Sequence, residues 1–159
     1  MTEIDVGTIK ELRELTSAGV MDCKQALEET KGNIQEAAKI LRQKGIASAA
    51  KKASRTAGQG IIESYIHSGN KIGAMIEINC ETDFVARTEE FKELAHDIAM
   101  QIAAMNPGDG LENNSLDLLL SQEFIKDPSR TISELVTEVT AKTGEHIEVK
   151  RFIRFAMGE

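Results

Sequence analysis

Apolar side chains recur every third or fourth position over residues 1–45 and every second position after Gly60, and this change of period organises the chain. In DVGTIKELRELT, Val6, Ile9, Leu12 and Leu15 fall at helical spacing, with Asp5 ahead of them where a carboxylate suits a helix start. SAG is expected to stop that helix at Gly19, and MDCKQALEET reads as a second helix that ends at the KGN turn. Ile34, Ala37, Ala38 and Leu41 mark a third, which Gly45 is expected to end. Three short helices in so few residues make a bundle that is marginal alone, so a larger partner layer should follow it.

That layer begins after Gly60. IIESYIH and KIGAMIEIN alternate, are rich in Ile, and are separated by SGN, the signature of an antiparallel hairpin. TEEFKELAHDIAMQIAAM then places Phe91, Leu94, Ala95, Ile98, Ile102 and Met105 on one helical face, opens on Thr88 with two glutamates, and stops at NPGDG. SLDLLLSQEFI reads as a short helix and SRTISELVTEVTAKTGE as another, closed by Gly144, while HIEVKRFIRFAMG returns to alternation and supplies a third strand. The predicted fold class is α+β, with a three-helix module at 1–45, a basic linker or lone helix at 46–59, and a core at 60–159 in which a three-stranded antiparallel sheet is covered by helices.

Composition narrows this picture. In 159 residues, hydrophobic types make up 41% and charged types 28%, which excludes a disordered or collagen-like chain. Aromatics are 4% with no Trp, so the core should be aliphatic and rich in Ala. No apolar run approaches the roughly 20 residues of a membrane span, and the start MTEIDVGTIKEL lacks the features of a signal peptide, so the expected location is the cytoplasm, away from membranes. The net charge of -7 argues against a general nucleic-acid binder. Its distribution is uneven, near +2 over residues 1–55 and -9 over the rest, which supports two modules. Between Glu36 and Glu63 there is no carboxylate, and Lys39, Arg42, Lys44, Lys51, Lys52 and Arg55 form a basic stretch. It reads either as a face for an acidic partner or as a solvated connector whose charges complement a helix end.

Catalytic patterns are poor. The chain has no P-loop, GxGxxG, HExxH or GxSxG, its histidines His67, His96 and His146 are scattered, and Cys23 and Cys80 form neither a CxxC nor a zinc spacing. Both cysteines read as small buried apolar side chains; no catalytic residue, metal or cofactor is expected. Two stretches resist this bland reading. In AGVMDCKQAL, adjacent Val20 and Met21 cannot both point into a small bundle, which leaves either a partner contact through an exposed Met or a hydrophobic staple at the helix start. In NCETDFVARTEEF, Phe84 follows Asp83 at a strand end, where it either folds back to cap the local core or projects as a wedge, and the burial of a Phe favours the cap.

TIKELRELTSAGVMDCKQALEETKGNIQEAAKILRQKG, then AAKKASRTAGQG, INCETDFVAR and GEHIEVKRFIRF, resemble the elongation factor Ts family in its own order over nearly the whole chain. The family comprises the nucleotide exchange factors of the translational GTPase elongation factor Tu. The resemblance implies a ubiquitin-associated-like helical module, a linker and an α+β core. Both parts would grip the partner's GTP-binding domain, and the core would also reach its third domain. It further implies that Thr82, Asp83, Phe84 and Val85 form the loop that intrudes beside the partner's nucleotide. Phe84 would act as a wedge between two partner helices, exposed in the free protein, and Asp83 would support the rearrangement that dislodges Mg2+. Val20, Met21, Asp22, Cys23 and Lys24 would contact the partner near the other end of the nucleotide; apart from the resemblance, the acidic-partner reading of the basic stretch offers Lys51, Lys52 and Arg55 as basic contacts.

Val20 stands where many relatives have Met, and His146 where Asn is common. The chain also has one core half where longer relatives have two, which implies a homodimer through core strands and a two-to-two complex. A competing function is a binding or holdase module that uses the helical bundle alone. An enzyme with Cys80 as nucleophile rests only on a cysteine beside a loop.

Overall fold

The computed structural model describes residues 4–159, so the first three residues of the predicted module lie outside the described part. Helix α1 spans Val6–Thr16, α2 Val20–Glu29 and α3 Ile34–Lys52. The starts of α1 and α3 are capped by side chains. Asp5 accepts from the Gly7 amide at 3.1 Å and Asn33 from the Glu36 amide at 3.2 Å, satisfying donors that a helix leaves unpaired. The end of α1 differs from expectation: Ser17, not Gly19, takes the left-handed closing conformation at φ 57°, and Gly19 instead begins α2. The bundle closes around Leu12, Cys23, Ala26, Leu27, Ala37 and Leu41. Val6 and Leu15, placed on the same stripe as Leu12 by spacing, are exposed.

Gly45 does not end the third helix. The α3 backbone continues through it to Lys52, so the first half of the predicted linker at 46–59 is the C-terminal part of that helix. IASAAKK is rich in strong helix formers, and a single interior Gly costs only about 1 kcal/mol against them. Around Gly45, α3 packs against α7, Ile132–Thr143, which joins the module to the core.

In the core, β1 (Gln59–Ile66) and β2 (Ile72–Cys80) form the predicted hairpin, with Gly69 and Asn70 supplying the positive φ values of its turn. The tail strand β5, Glu148–Ala156, pairs antiparallel with the other edge of β2, giving the order β1-β2-β5. The expected three-stranded α+β core is therefore present. Alternation along β2 sends Ala74, Ile76, Ile78 and Cys80 inward, and α5, Glu89–Met105, lays Phe91, Leu94, Ala95, Ile98 and Ile102 against the sheet. Met105, expected on that face, is exposed in the final turn.

The segment after α5 departs from the predicted pair of helices. Helix α6 covers only Ser115–Ser121, and β3 (Glu123–Phe124) with β4 (Asp127–Thr131) makes a small hairpin before α7 begins. A buried amide holds it there: Gln101 Nε2 donates to Gln122 Oε1 at 3.1 Å and to the Glu123 carbonyl at 3.0 Å, while its Oε1 accepts from the Ile125 amide at 3.0 Å. Thr131 and Glu134 then start α7 with a reciprocal capping box. Among the described residues, no helix is long and apolar enough to cross a membrane.

Candidate exchange loop and its supports

The loop that follows β2 is built by two successive threonine caps. Thr82 Oγ1 accepts from the Val85 amide at 3.4 Å and starts α4, a single turn over Asp83–Ala86. Thr88 Oγ1 accepts from the Phe91 amide at 3.3 Å and starts α5. Successive residues of a helical turn point about 100° apart, so one turn cannot bury all its side chains. Ala86 is buried and Val85 packs on the core edge, which leaves Phe84 76% exposed to solvent. The core-cap reading of Phe84 is thus wrong, because Val85 and Ala86 already occupy the inward side.

Asp83 lies beside Phe84 and pairs across the turn with Arg87, whose Nη2 is 3.0 Å from Oδ2. The pair is solvent-facing and contributes little to stability. Its geometric effect is to hold the carboxylate on the outer side of α4.

Beneath the turn, the α7–β5 connection meets the loop through crossed hydrogen bonds. Glu145 accepts from the Thr82 amide at 3.0 Å and from the Thr82 hydroxyl at 2.7 Å. In return Glu81 accepts from the His146 amide at 2.7 Å. That bond, together with the nearby Arg55 guanidinium, holds the Glu81 carboxyl below its ordinary pKa. Arg55 Nη1 sits 3.5 Å from Glu81 and donates to the Gly144 carbonyl at 3.3 Å, so this residue of the basic stretch is engaged within the chain. Neither Glu145 nor Glu81 stood out in the sequence. Glu145 is 63 positions from Thr82, and no local period reports such a pairing.

Cys80 is fully buried and its thiol donates to the Thr82 carbonyl at 3.1 Å. Burial, helped by the Glu145 charge, pushes its pKa up, the opposite of what a nucleophilic thiol needs. The histidines are dispersed among structural contacts. His67 Nδ1 is 3.1 Å from the Tyr65 hydroxyl, His96 Nδ1 is 3.4 Å from Glu63, and His146 Nε2 is 3.6 Å from Glu148. Among the described residues, no cluster of three or more potential metal ligands forms.

The second predicted segment lies at the start of α2. Val20 and Met21 are both exposed, at 49% and 74%, so neither acts as a staple. Cys23 belongs to the module core, where burial pushes its thiol pKa up, while Asp22 and Lys24 face solvent and Lys24 lies 3.9 Å from Glu28. Lys51 and Lys52 occupy the last turn of α3, with Lys52 donating to Ser48 Oγ at 2.8 Å. The structure brings Arg55 to the loop that carries Phe84 and leaves the α2 segment on the helical module.

Comparison with known proteins adds what geometry alone cannot. The family model described as Elongation factor TS matches residues 1–118. Elongation factor Ts of Carboxydothermus hydrogenoformans is 46% identical over 190 aligned positions, covering 95% of this chain and 88% of the relative. The protein of the same name from Desulfitobacterium hafniense is 45% identical over 198 positions, covering 100% and 91%. Chloroplastic elongation factor Ts of Guillardia theta is 46% identical over 198 positions, covering 99% and 90%. With a family match over most of its length and relatives aligned nearly end to end, the chain belongs to the elongation factor Ts family, whose role is in the elongation stage of protein synthesis.

Proposed function

We propose that this chain binds elongation factor Tu in its GDP form, displaces Mg2+ from the partner's nucleotide site, and speeds GDP release so that GTP can rebind. The observation that carries the reading is Phe84, a large apolar side chain left in water on a turn whose backbone is capped and tied down. A side chain so placed costs nothing to expose during docking and gains by burial in a partner. Burial of one Phe is worth about 1.5–3 kcal/mol, or about 10- to 100-fold in an equilibrium constant. If that gain is realised only on the nucleotide-free partner, linkage requires GDP binding to weaken by the same factor. Asp83 acts beside it, and loss of Mg2+ removes charge compensation from the diphosphate.

Val20, Met21, Asp22 and Lys24 offer a second contact on the helical module, with Cys23 holding α2 in place from within. Lys51 and Lys52 add basic charge at the end of α3. The chain performs no covalent chemistry and needs no cofactor of its own; it acts in the cytoplasm as a homodimer that binds two partner molecules. The division into a module at 1–45, a connection at 46–59 and a core at 60–159 assigns one contact surface to each end.

The decisive test is release of a fluorescent GDP analogue from purified elongation factor Tu. The wild-type chain should accelerate release, and Phe84→Ala should lower the maximal rate by about 10- to 100-fold. Unchanged release with Phe84→Ala at saturating concentration would remove the wedge mechanism.

A further inference from the structure

We infer that Glu145 is the positioning residue of the exchange loop, acting on Phe84 through Thr82; the inference rests on the exchange reading above for its functional consequence. A hydroxyl has one proton to give and lone pairs to accept with. Glu145 Oε2 accepts a hydrogen bond from the Thr82 hydroxyl at 2.7 Å, which fixes the hydroxyl rotor and leaves its lone pairs facing the Val85 amide at 3.4 Å. The other carboxylate oxygen takes the Thr82 amide at 3.0 Å, so both the side chain and the backbone of the cap are held by one group. The capped turn carries Phe84 on its outer side. Glu145 therefore reaches the wedge by a continuous path: carboxylate, threonine hydroxyl, Val85 amide, helical turn.

The reciprocal bond from the His146 amide to Glu81 makes the pairing of the two segments two-sided. Glu145 itself follows the Gly144 residue that closes α7, and α7 packs against both α3 and α5. The loop is thus held from a helix that packs on both the helical module and the core. A pre-positioned wedge loses less conformational freedom than a mobile one when it enters the partner, and because the proposed wedge enters only in the exchange step, that difference appears in the maximal rate.

The two consequences can be measured separately. In the free chain, amide exchange at Thr82 and Val85 should accelerate by about tenfold or more in Glu145→Ala, with amides inside β2 and α5 remaining within about twofold of wild type. In GDP release from elongation factor Tu, Glu145→Ala should lower the maximal rate by about 5- to 10-fold and change the half-saturating concentration by less than about twofold, since the proposed wedge is buried only once the partner loses its nucleotide. Glu145→Gln, which keeps one acceptor, should fall between. Wild-type exchange at Thr82 in Glu145→Ala would overturn the inference, as would weakened affinity with an unchanged maximal rate.

If Glu145→Ala does not fold, the cycle between Glu145→Gln and Thr82→Val decides. A double variant no worse than Glu145→Gln supports the path through Thr82, and additive losses overturn it. Failure of the exchange reading is recognised separately, by identical release with the wild type and Phe84→Ala.

Discussion

Phe84 and Phe91 lie seven residues apart and are chemically identical, yet one is in water and the other is fully buried. Their fates follow from the elements that carry them. Phe91 lies in the first turn of a long amphipathic helix whose stripe faces the sheet; Phe84 lies on a single turn whose inward positions are filled by Val85 and Ala86. Phe84→Ala should therefore leave the unfolding free energy within about 0.5 kcal/mol of wild type, whereas Phe91→Ala should cost about 3–5 kcal/mol, as urea titrations of both variants would reveal. The period of α5 made Phe91 legible in the sequence, but four residues of α4 carry no period, and only family resemblance pointed Phe84 outward. Titration separates two carboxylates in the same way. Glu81 has its folded pKa lowered from near 4.5 by the His146 amide, so its contribution is present above that value and is lost as pH falls through the lower folded one. Glu138 has its pKa raised by burial despite the Arg130 ion pair, so its contribution is present below about 4.5 and is lost as pH rises through the folded value. Stability measured from pH 3 to 7 should then fall less steeply toward acid in Glu81→Gln and more steeply in Glu138→Gln, about these group titrations.

The third helix shows how a local signal yields to its surroundings. Gly45 is a fair stop signal, yet the residues after it favour helix and the continuing turns pack on α7. A methyl group added at Gly45 would meet only Thr137 Cγ2 at 3.9 Å, an ordinary contact. Gly45→Ala should accordingly raise stability by about 0.5–1 kcal/mol and increase the melting temperature, while a drop would mean that α3 bends or breaks there. The reverse holds at Gly110, where φ is +89° and an added Cβ would overlap the Phe152 carbonyl, so Gly110→Ala should destabilise by more than 1 kcal/mol in the same assay. The β1-β2 hairpin, α5 and β5 were legible because each buries one face with its own period. The β3-β4 hairpin was not, because two- and five-residue strands leave no alternation to read and the buried side chain of Gln101, more than twenty positions earlier, holds the turn. Glu145 escaped notice for the same reason: the information in its contact with Thr82 is in the fold, not in the neighbouring sequence.

Across the whole chain, the outer face of the sheet has more apolar surface than a free monomer would usually keep. An antiparallel sheet with one solvated face normally alternates apolar inside with polar outside. Here, the register puts Ser64 beside Met75 and Met75 beside Ile153, and puts Ile66 beside Gly73 and Gly73 beside Phe155. With Ile62 and Met157 these make a patch in which Ile66 and Phe155 are both largely exposed, the Ile66 side chain leaning over the space a Cβ at Gly73 would need. The Glu77–Arg151 ion pair at 2.8 Å borders the patch and gives it a polar edge. An apolar centre with a polar rim is the anatomy of a protein interface, and a two-fold axis through the sheet would let one such face cover its own copy. The proposed homodimer should therefore sediment at twice 17.4 kDa at micromolar concentration without partner. Phe155→Asp places a charge on the covered face, so it should shift the species to 17.4 kDa while leaving circular dichroism unchanged, because Phe155 packs on the outside of a sheet whose core lies on the other side. A wild-type chain that sediments at 17.4 kDa at the same concentration would exclude the dimer and leave the outer sheet face as a surface for a different protein.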